Sequence, residues 1–334
     1  MTEERVGIAA PATAGTAGTG GTGGTGGIGG IGDVLPEELR AVRPESPLRR
    51  NVREFMRRKL AVFAMVIVLL LCAMAVLAPV LSFQNPYSLA ELDIMDGKLP
   101  PGSQNWDGSI TYWLGTDDQG RDLWSAILYG TRTSLAVGVI SAFLALAVGA
   151  AFGLISAYAG GKVDSIIMRV VDIQLSFPAI LIALILLAIL GQGVGKIIIA
   201  LVITQWAYYA RTVRGTALVE RRKDYVDAAR CLALPSSRII ARHIFPNCLP
   251  PLIVVVTMRI AYAVMLESTL SFLGIGLPIT EPSLGLLISN GFEYLMSGAY
   301  WISFFPGMVL FLLIANINIV GDELRDLLNP RLRT

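Results

Sequence analysis

Histidine is almost missing from this sequence: His243 is the only one, cysteine occurs three times, and charged residues fill 16% of 334 positions. One histidine cannot build a His-Glu-x-x-His zinc helix, and Cys72, Cys231 and Cys248 lack paired Cys-x2-Cys ligand spacing. No metal site is expected. Three thiols imply no disulfide framework, and a reducing side suits Cys231 and Cys248. Also missing are a Gly-x-Ser-x-Gly nucleophile elbow and a Gly-x4-Gly-Lys-[Ser/Thr] phosphate loop. The nearest approach to the latter, "GQGVGK" at 191–196, is one residue short between its glycines and runs into Ile197. The chain is therefore expected to be no enzyme and to bind no cofactor itself, leaving any ATP hydrolysis to another chain. Its arginine-rich stretches lack the aromatic interleaving of a nucleic-acid module, so nucleic acid is not an expected partner.

What is plentiful is apolar. Hydrophobic residues make up 54% of the chain against a net charge of only +2, which makes membrane lipid the expected solvent. Residues 1–47 are different: "ATAGTAGTGGTGGTGGIGGIG" has too few large apolar groups to offset its ordering entropy and reads as a disordered tail. Its Gly-x-Gly-x-x-Gly match at Gly18, Gly20 and Gly23 has neither a strand before it nor a helix after it, so it carries no nucleotide site. No cleavable signal peptide is expected, because the first apolar run begins near residue 60.

Six apolar runs are long enough to be read as spans, at about 60–81, 134–158, 173–190, 197–213, 249–273 and 301–320. Pro178, Pro250 and Pro251 are read as lying near helix starts, where a missing backbone donor is tolerated. Orientation follows from basic residues, which favour cytoplasmic loops. Arg49, Arg50, Arg53, Arg57, Arg58 and Lys59 precede the first run, in the segment 48–81. The next loop, 82–133, is acid-rich and reads as external. Residues 211–248 return eight Lys and Arg to the inside, whereas 274–300 has none. The expectation is an inner-membrane protein with both termini cytoplasmic: a core over 134–320 and a short cytoplasmic tail over 321–334.

The cationic interruption "KDYVDAARCLALPSSRIIARHIFPN" at 223–247 is the most informative stretch. Ala228, Ala229 and Ala233 lower the relief of a short helix, Pro235 stops it, Ser236 or Ser237 is expected to cap a second arm, and Pro246 to end that arm. Such an elbow suits a groove on a soluble partner. An amphipathic helix lying on anionic headgroups is the plainer alternative.

The segment resembles the "EAA" coupling loop of ABC importer permeases. Asp227, Ala228 and Ala229 stand at its Glu-Ala-Ala, Ala233 where the family has Gly, His243 at its Ile, Phe245 at its Leu, and Pro246 at its Pro. Alanine at 233 keeps the volume small but loses easy access to positive φ. Further stretches resemble the dipeptide, oligopeptide and nickel group of these permeases, in family order: "LGTDDQGRDLWSAILYGTRTSLAVG" (114–138), "ESTLSFLGIGLP" (267–278) and "GDELRDLLNPRL" (321–332). The resemblance implies an all-α type I importer permease that pairs with a homologous permease to form a path for short peptides. It implies two cytoplasmic ATPases holding ATP and Mg, and an external substrate-binding protein. It also places ATPase coupling at Tyr225, Asp227, Ala228, Ala229, Ala233, Arg242, His243 and Pro246. Nickel or another small solute is the alternative cargo; an ion-coupled secondary transporter and a non-transporting scaffold are the rival classes.

Other candidates lie outside the elbow. Asp117, Asp118, Arg121 and Asp122 do not follow the twelve-position ligand alternation of a calcium loop; they read as a turn capping the next helix, and as a surface for the binding protein or paired permease. Arg259 and Glu267 are ionisable groups inside an apolar run and, with Ser268, are candidates for the substrate path or gate. About 12 Å of helix separates them, too far for a direct pair. Asn316 and Asn318 are expected to bond between helices.

Overall fold

A computed structural model describes residues 47–88 and 92–328. The Gly/Thr tail and the end of the "GDELRDLLNPRL" stretch lie outside the described residues. The chain is helical, and a two-residue antiparallel pair, β1 (Ser103–Gln104) with β2 (Thr111–Tyr112), supplies the strands among the described residues.

Helices α1 (Pro47–Arg57), α2 (Lys59–Val76) and α3 (Ala78–Leu81) precede a platform, residues 92–122, built of turns, one 3-10 turn (Ile94–Asp96) and the β1–β2 pair. From it rises α4 (Leu123–Ala159), whose 37 residues span about 55 Å, well beyond a hydrocarbon core of about 30 Å. It therefore begins earlier than the expected 134. Ala145, Gly149, Gly153 and Ala157 recur every fourth residue along it. This small-residue row lets α7 (Val194–Glu220) approach backbone to backbone: a Cβ on Gly149 would stand 2.4 Å from the Trp206 carbonyl oxygen, and one on Gly153 2.6 Å from that of Ala210.

Four helices or helix runs are long and apolar enough to cross a membrane, α2, α4, the run Ser236–Phe272 and α12 (Trp301–Leu328), or five if a bent pair counts as one span. The expected six are therefore not all found as continuous apolar helices. The third expected run is broken into α5 (Gly161–Ser176) and α6 (Ala179–Leu190), which meet at 91°. Phe177 precedes Pro178 and is extended (φ −97°, ψ 143°), as proline's ring demands of its neighbour. α6 alone, 12 residues, reaches only about 18 Å. α5 lies along α7, where Arg214 donates to both oxygens of Asp164 at 2.5 and 2.6 Å. The fourth expected run lies within α7, which is long enough at 27 residues but is diluted by Lys196, Gln205, Arg211 and Arg214.

The fifth run differs more. α9 (Ser236–Ile239) passes through one π-helical turn (Ile240–Ile244) into α10 (Phe245–Phe272) without a stop. Pro246 does not end an arm. It sits in the first turn after the wider i→i+5 turn, which absorbs its missing donor. Pro250 and Pro251 are inside α10 and do not open it. The loop expected at 274–300 contains α11 (Leu284–Phe292), capped by Ser283, whose hydroxyl accepts from the Leu286 amide. α12 runs on to Leu328, so the expected tail begins as helix.

Candidate functional site

The elbow is built on α8 (Asp224–Cys231). Asp224 and Asp227 occupy its first turn and Arg230 its last, each complementing the helix dipole. Val226 and Ala229, one turn apart, are buried against Tyr209, Val213 and Ala217 of α7, Ala157 of α4, and Ile244 and Cys248. Ala229 therefore faces this chain, which corrects the reading of all three alanines as one outward surface. Ala228, Asp227, Cys231 and Ala233 remain exposed, together with Leu232 at 76%.

Both arms are pinned. The Tyr225 hydroxyl donates to Glu220 at 2.5 Å and accepts from the Asn247 amide at 3.2 Å, while Lys223 holds the other Glu220 oxygen at 2.7 Å. Burial and the Glu220 hydrogen bond push the Tyr225 phenol up to about 12, so it remains a donor at neutral pH. Tyr158 at the end of α4 donates to Ser236 at 2.7 Å, and Arg221 covers the Ala157 and Tyr158 carbonyls at 2.8 and 2.9 Å. Neither Ser236 nor Ser237 caps the second arm; Pro235 is at that position and no side chain bonds there. Arg242 is exposed, and His243 is half-buried with its ring 6.5 Å from that of Tyr225. Ala233, one of two non-glycine residues at positive φ among those described, adopts +53°. The left-handed geometry is thus present although the residue disfavours it.

The acidic turn has turned inward. Asp117 and Arg121 pair at 2.7 Å while 0% and 1% exposed, and the Arg121 guanidinium also reaches the Ile279 carbonyl. Asp122, 1% exposed, is the N-cap of α4 and accepts from the amide and hydroxyl of Ser125. Burial pushes its carboxyl up, and the Ser125 bonds offset only part of that. Burial also raises Asp118, which is half-buried, with the Asp117 charge adding to it. The compact turn needs Gly120 at φ +75°, where a Cβ would lie 2.1 Å from the Asp93 carbonyl oxygen. Asp117, Arg121 and Asp122 are therefore internal ties and not a contact surface. Beside the exposed Asp93, Lys98 and Asp107, the platform also exposes four large apolar side chains: Ile94, Met95, Trp106 and Trp113. Composition singled out the charges and passed over these four.

Glu267 is fully buried and accepts from Ser271 at 2.8 Å and Ser268 at 3.3 Å, with Ser134 of α4 and Ser283 of the α11 cap also facing it. Backbone presses close beside it, since a Cβ on Gly285 would stand 2.1 Å from the Ser268 carbonyl oxygen. Glu267 and Ser268 thus tie α4, α10 and α11 together. Arg259 instead lines a cavity of about 510 Å³ between α7, α10 and α12, its guanidinium 3.5 Å over the Tyr208 ring. A cation–π contact contributes only about 0.5–2 kcal/mol. The one sequence signal for these tyrosines is that Tyr262 follows Arg259 at helical spacing. Asn318 lines the same cavity, while Asn316 donates to the Leu312 carbonyl of its own helix and not across helices.

Comparison with known proteins agrees with this architecture. The family described as "binding-protein-dependent transport system inner membrane component" matches residues 149–334, and the "N-terminal TM domain of oligopeptide transport permease C" matches 46–101. A putative peptide transport system permease of Brucella suis is 41% identical over 86% of this chain and 94% of its own. The dipeptide transport system permease DppC of Bacillus subtilis is 36% identical over 84% and 85%, and a probable D,D-dipeptide transport system permease of Escherichia coli 34% over 89% and 98%. A chain of the inward-facing MetNI methionine ABC transporter shares the fold, with a TM-score of 0.50 at 20% identity, over 60% of this chain and 96% of that one. The chain belongs to the inner-membrane permease family of binding-protein-dependent ABC importers.

Proposed function

We propose that this permease carries short peptides inward, paired with a homologous permease, and that two ATPases holding ATP and Mg grip its elbow from the cytoplasm. An external binding protein delivers the cargo, and the apolar platform residues Ile94, Met95, Trp106 and Trp113 are suited to meet it. Both termini then lie in the cytoplasm, in keeping with the basic residues ahead of α2 and around the elbow.

One observation carries the reading: α8 is anchored on its inner face by Val226 and Ala229 and bare on its outer face at Ala228 and Leu232. A lever must be stiff where it joins the moving body and smooth where it is gripped. Closure of the ATPases on ATP displaces α8, and the pinned arms pass that displacement to α4, α7 and α10. Peptide is favoured as cargo because the relatives matching nearly the whole chain are peptide and dipeptide permeases.

The test is a pair of variants in the complete importer. Ala228→Glu should leave the purified complex folded while removing vanadate-sensitive uptake of a labelled dipeptide. Ala229→Glu, which forces a charge into the buried face, should loosen the elbow itself, seen as trypsin cleavage at Lys223 or Arg230. Uptake at the wild-type rate in the Ala228→Glu importer would rule out gripping at this face.

A further inference from the structure

Arg259 stands near the middle of α10, about 21 Å of helix from Phe245 and about 20 Å from Phe272. A cation at that depth ordinarily faces a counter-charge. Among the described residues no carboxylate is within ion-pair distance of it; its neighbours are the rings of Tyr208 at 3.5 Å and Tyr262 at 5.3 Å. Stacking on Tyr208 occupies the flat face of the guanidinium. Its N–H donors lie in the plane and point from the edge, which leaves them for another partner.

That partner has room. The groove beside Arg259, half open and about 510 Å³, lies within the range of small-molecule sites. Tyr208 and Thr212 of α7, Tyr262 of α10 and Asn318 of α12 add polar atoms to an otherwise apolar wall. Charge, planarity and volume together describe a seat for a small molecule bearing a carboxylate.

We infer that the Arg259 guanidinium, held by Tyr208 and Tyr262, binds the C-terminal carboxylate of the peptide in transit through two parallel N–H···O bonds. This rests on the peptide reading proposed above and adds to it the end of the peptide that is recognised. An apolar wall with one fixed cation holds the terminus that every linear peptide shares and leaves the side chains unread.

The experiment uses the intact importer with its paired permease, ATPases and binding protein, in vesicles of phosphatidylcholine. Uptake of trialanine and of trialaninamide is measured at saturating loaded binding protein, for wild type, Arg259→Gln and Arg259→Lys, with ATP hydrolysis followed in the same vesicles. Arg259→Gln should lower trialanine uptake about tenfold and leave trialaninamide uptake within about twofold, a loss in the range of a charge-assisted hydrogen bond. Stimulated ATP hydrolysis should persist, and Arg259→Lys should recover part of the acid preference. An unchanged acid-to-amide ratio in Arg259→Gln overturns the inference. So does failure of that variant to assemble with its partner permease, which would assign the cation to a carboxylate of the neighbouring chain. An effect seen only when phosphatidylglycerol is added assigns it to lipid and also overturns it. Wild-type vesicles that import neither peptide defeat the peptide reading itself, and this inference with it.

Discussion

Two segments interrupt the apolar runs with charge, the elbow at 223–247 and the turn at 114–122, and the fold treats them in opposite ways. In the turn, Asp117 and Arg121 neutralise one another out of water and Asp122 caps α4. In the elbow, Asp227 and Arg230 pair at 2.9 Å on the surface, 61% and 39% exposed. Both pairs are a few residues apart in sequence. Charge in a loop therefore does not announce a partner; what separates the two cases is whether small residues let the backbone close over the pair. Gly115 and Gly120 permit that in the turn, each at positive φ and each with backbone within 2.5 Å of where a Cβ would be.

The contrast can be broken most forcefully at Asp117. Asp117→Ala leaves Arg121 buried and uncompensated, a loss of about 3–5 kcal/mol, and should lower the thermal midpoint of the detergent-purified complex steeply. Asp227→Lys, at an exposed pair worth about 0–1 kcal/mol, should hardly move that midpoint. Equal midpoints for the two variants would erase the distinction between inward and outward charge.

A smaller effect is expected at the α4 cap. Asp122→Ala should cost about 1 kcal/mol, with Asp122→Asn retaining most of it because an amide oxygen also accepts from the Ser125 amide. The same midpoint measurement checks this, and a loss as large in Asn as in Ala would tie the effect to charge instead of capping.

Smallest, and opposite in sign, is the elbow turn. Ala233 holds φ +53°, so Ala233→Gly should relieve about 1 kcal/mol of left-handed strain and raise the resistance of the elbow to trypsin. A glycine variant that is cleaved faster would show that alanine's restriction of the unfolded turn outweighs its strain in the folded one.

Much of this was legible in the sequence, and the failures have physical causes. The mainly helical class and the family followed from apolar runs and ordered motifs. The break at Phe177 is invisible to run length, which counts apolar residues and ignores the conformation that Pro178 imposes before it. Pro246 reads as a stop in the sequence, because a π-helical turn ahead of it leaves no compositional mark. The candidate site was read less well. Ala228 and Ala229 are adjacent and identical, and only the helix phase set by Val226 puts one outside and the other inside. Arg259 was visible as a lone cation, but Tyr208, which makes its seat, comes from another helix far away in the chain.

The unbroken run from Ser236 through the π-helical turn to Phe272 has a mechanical meaning. One continuous helical run joins the elbow to Arg259, so a rotation applied at its base reaches the guanidinium along a single helix. Each residue of an α-helix turns by about 100°, so adding or deleting a single residue between the two would aim the guanidinium at a different helix while every local contact of the elbow survived. The extra residue held in the wide turn at 240–244 is in that sense the setting screw of that guanidinium.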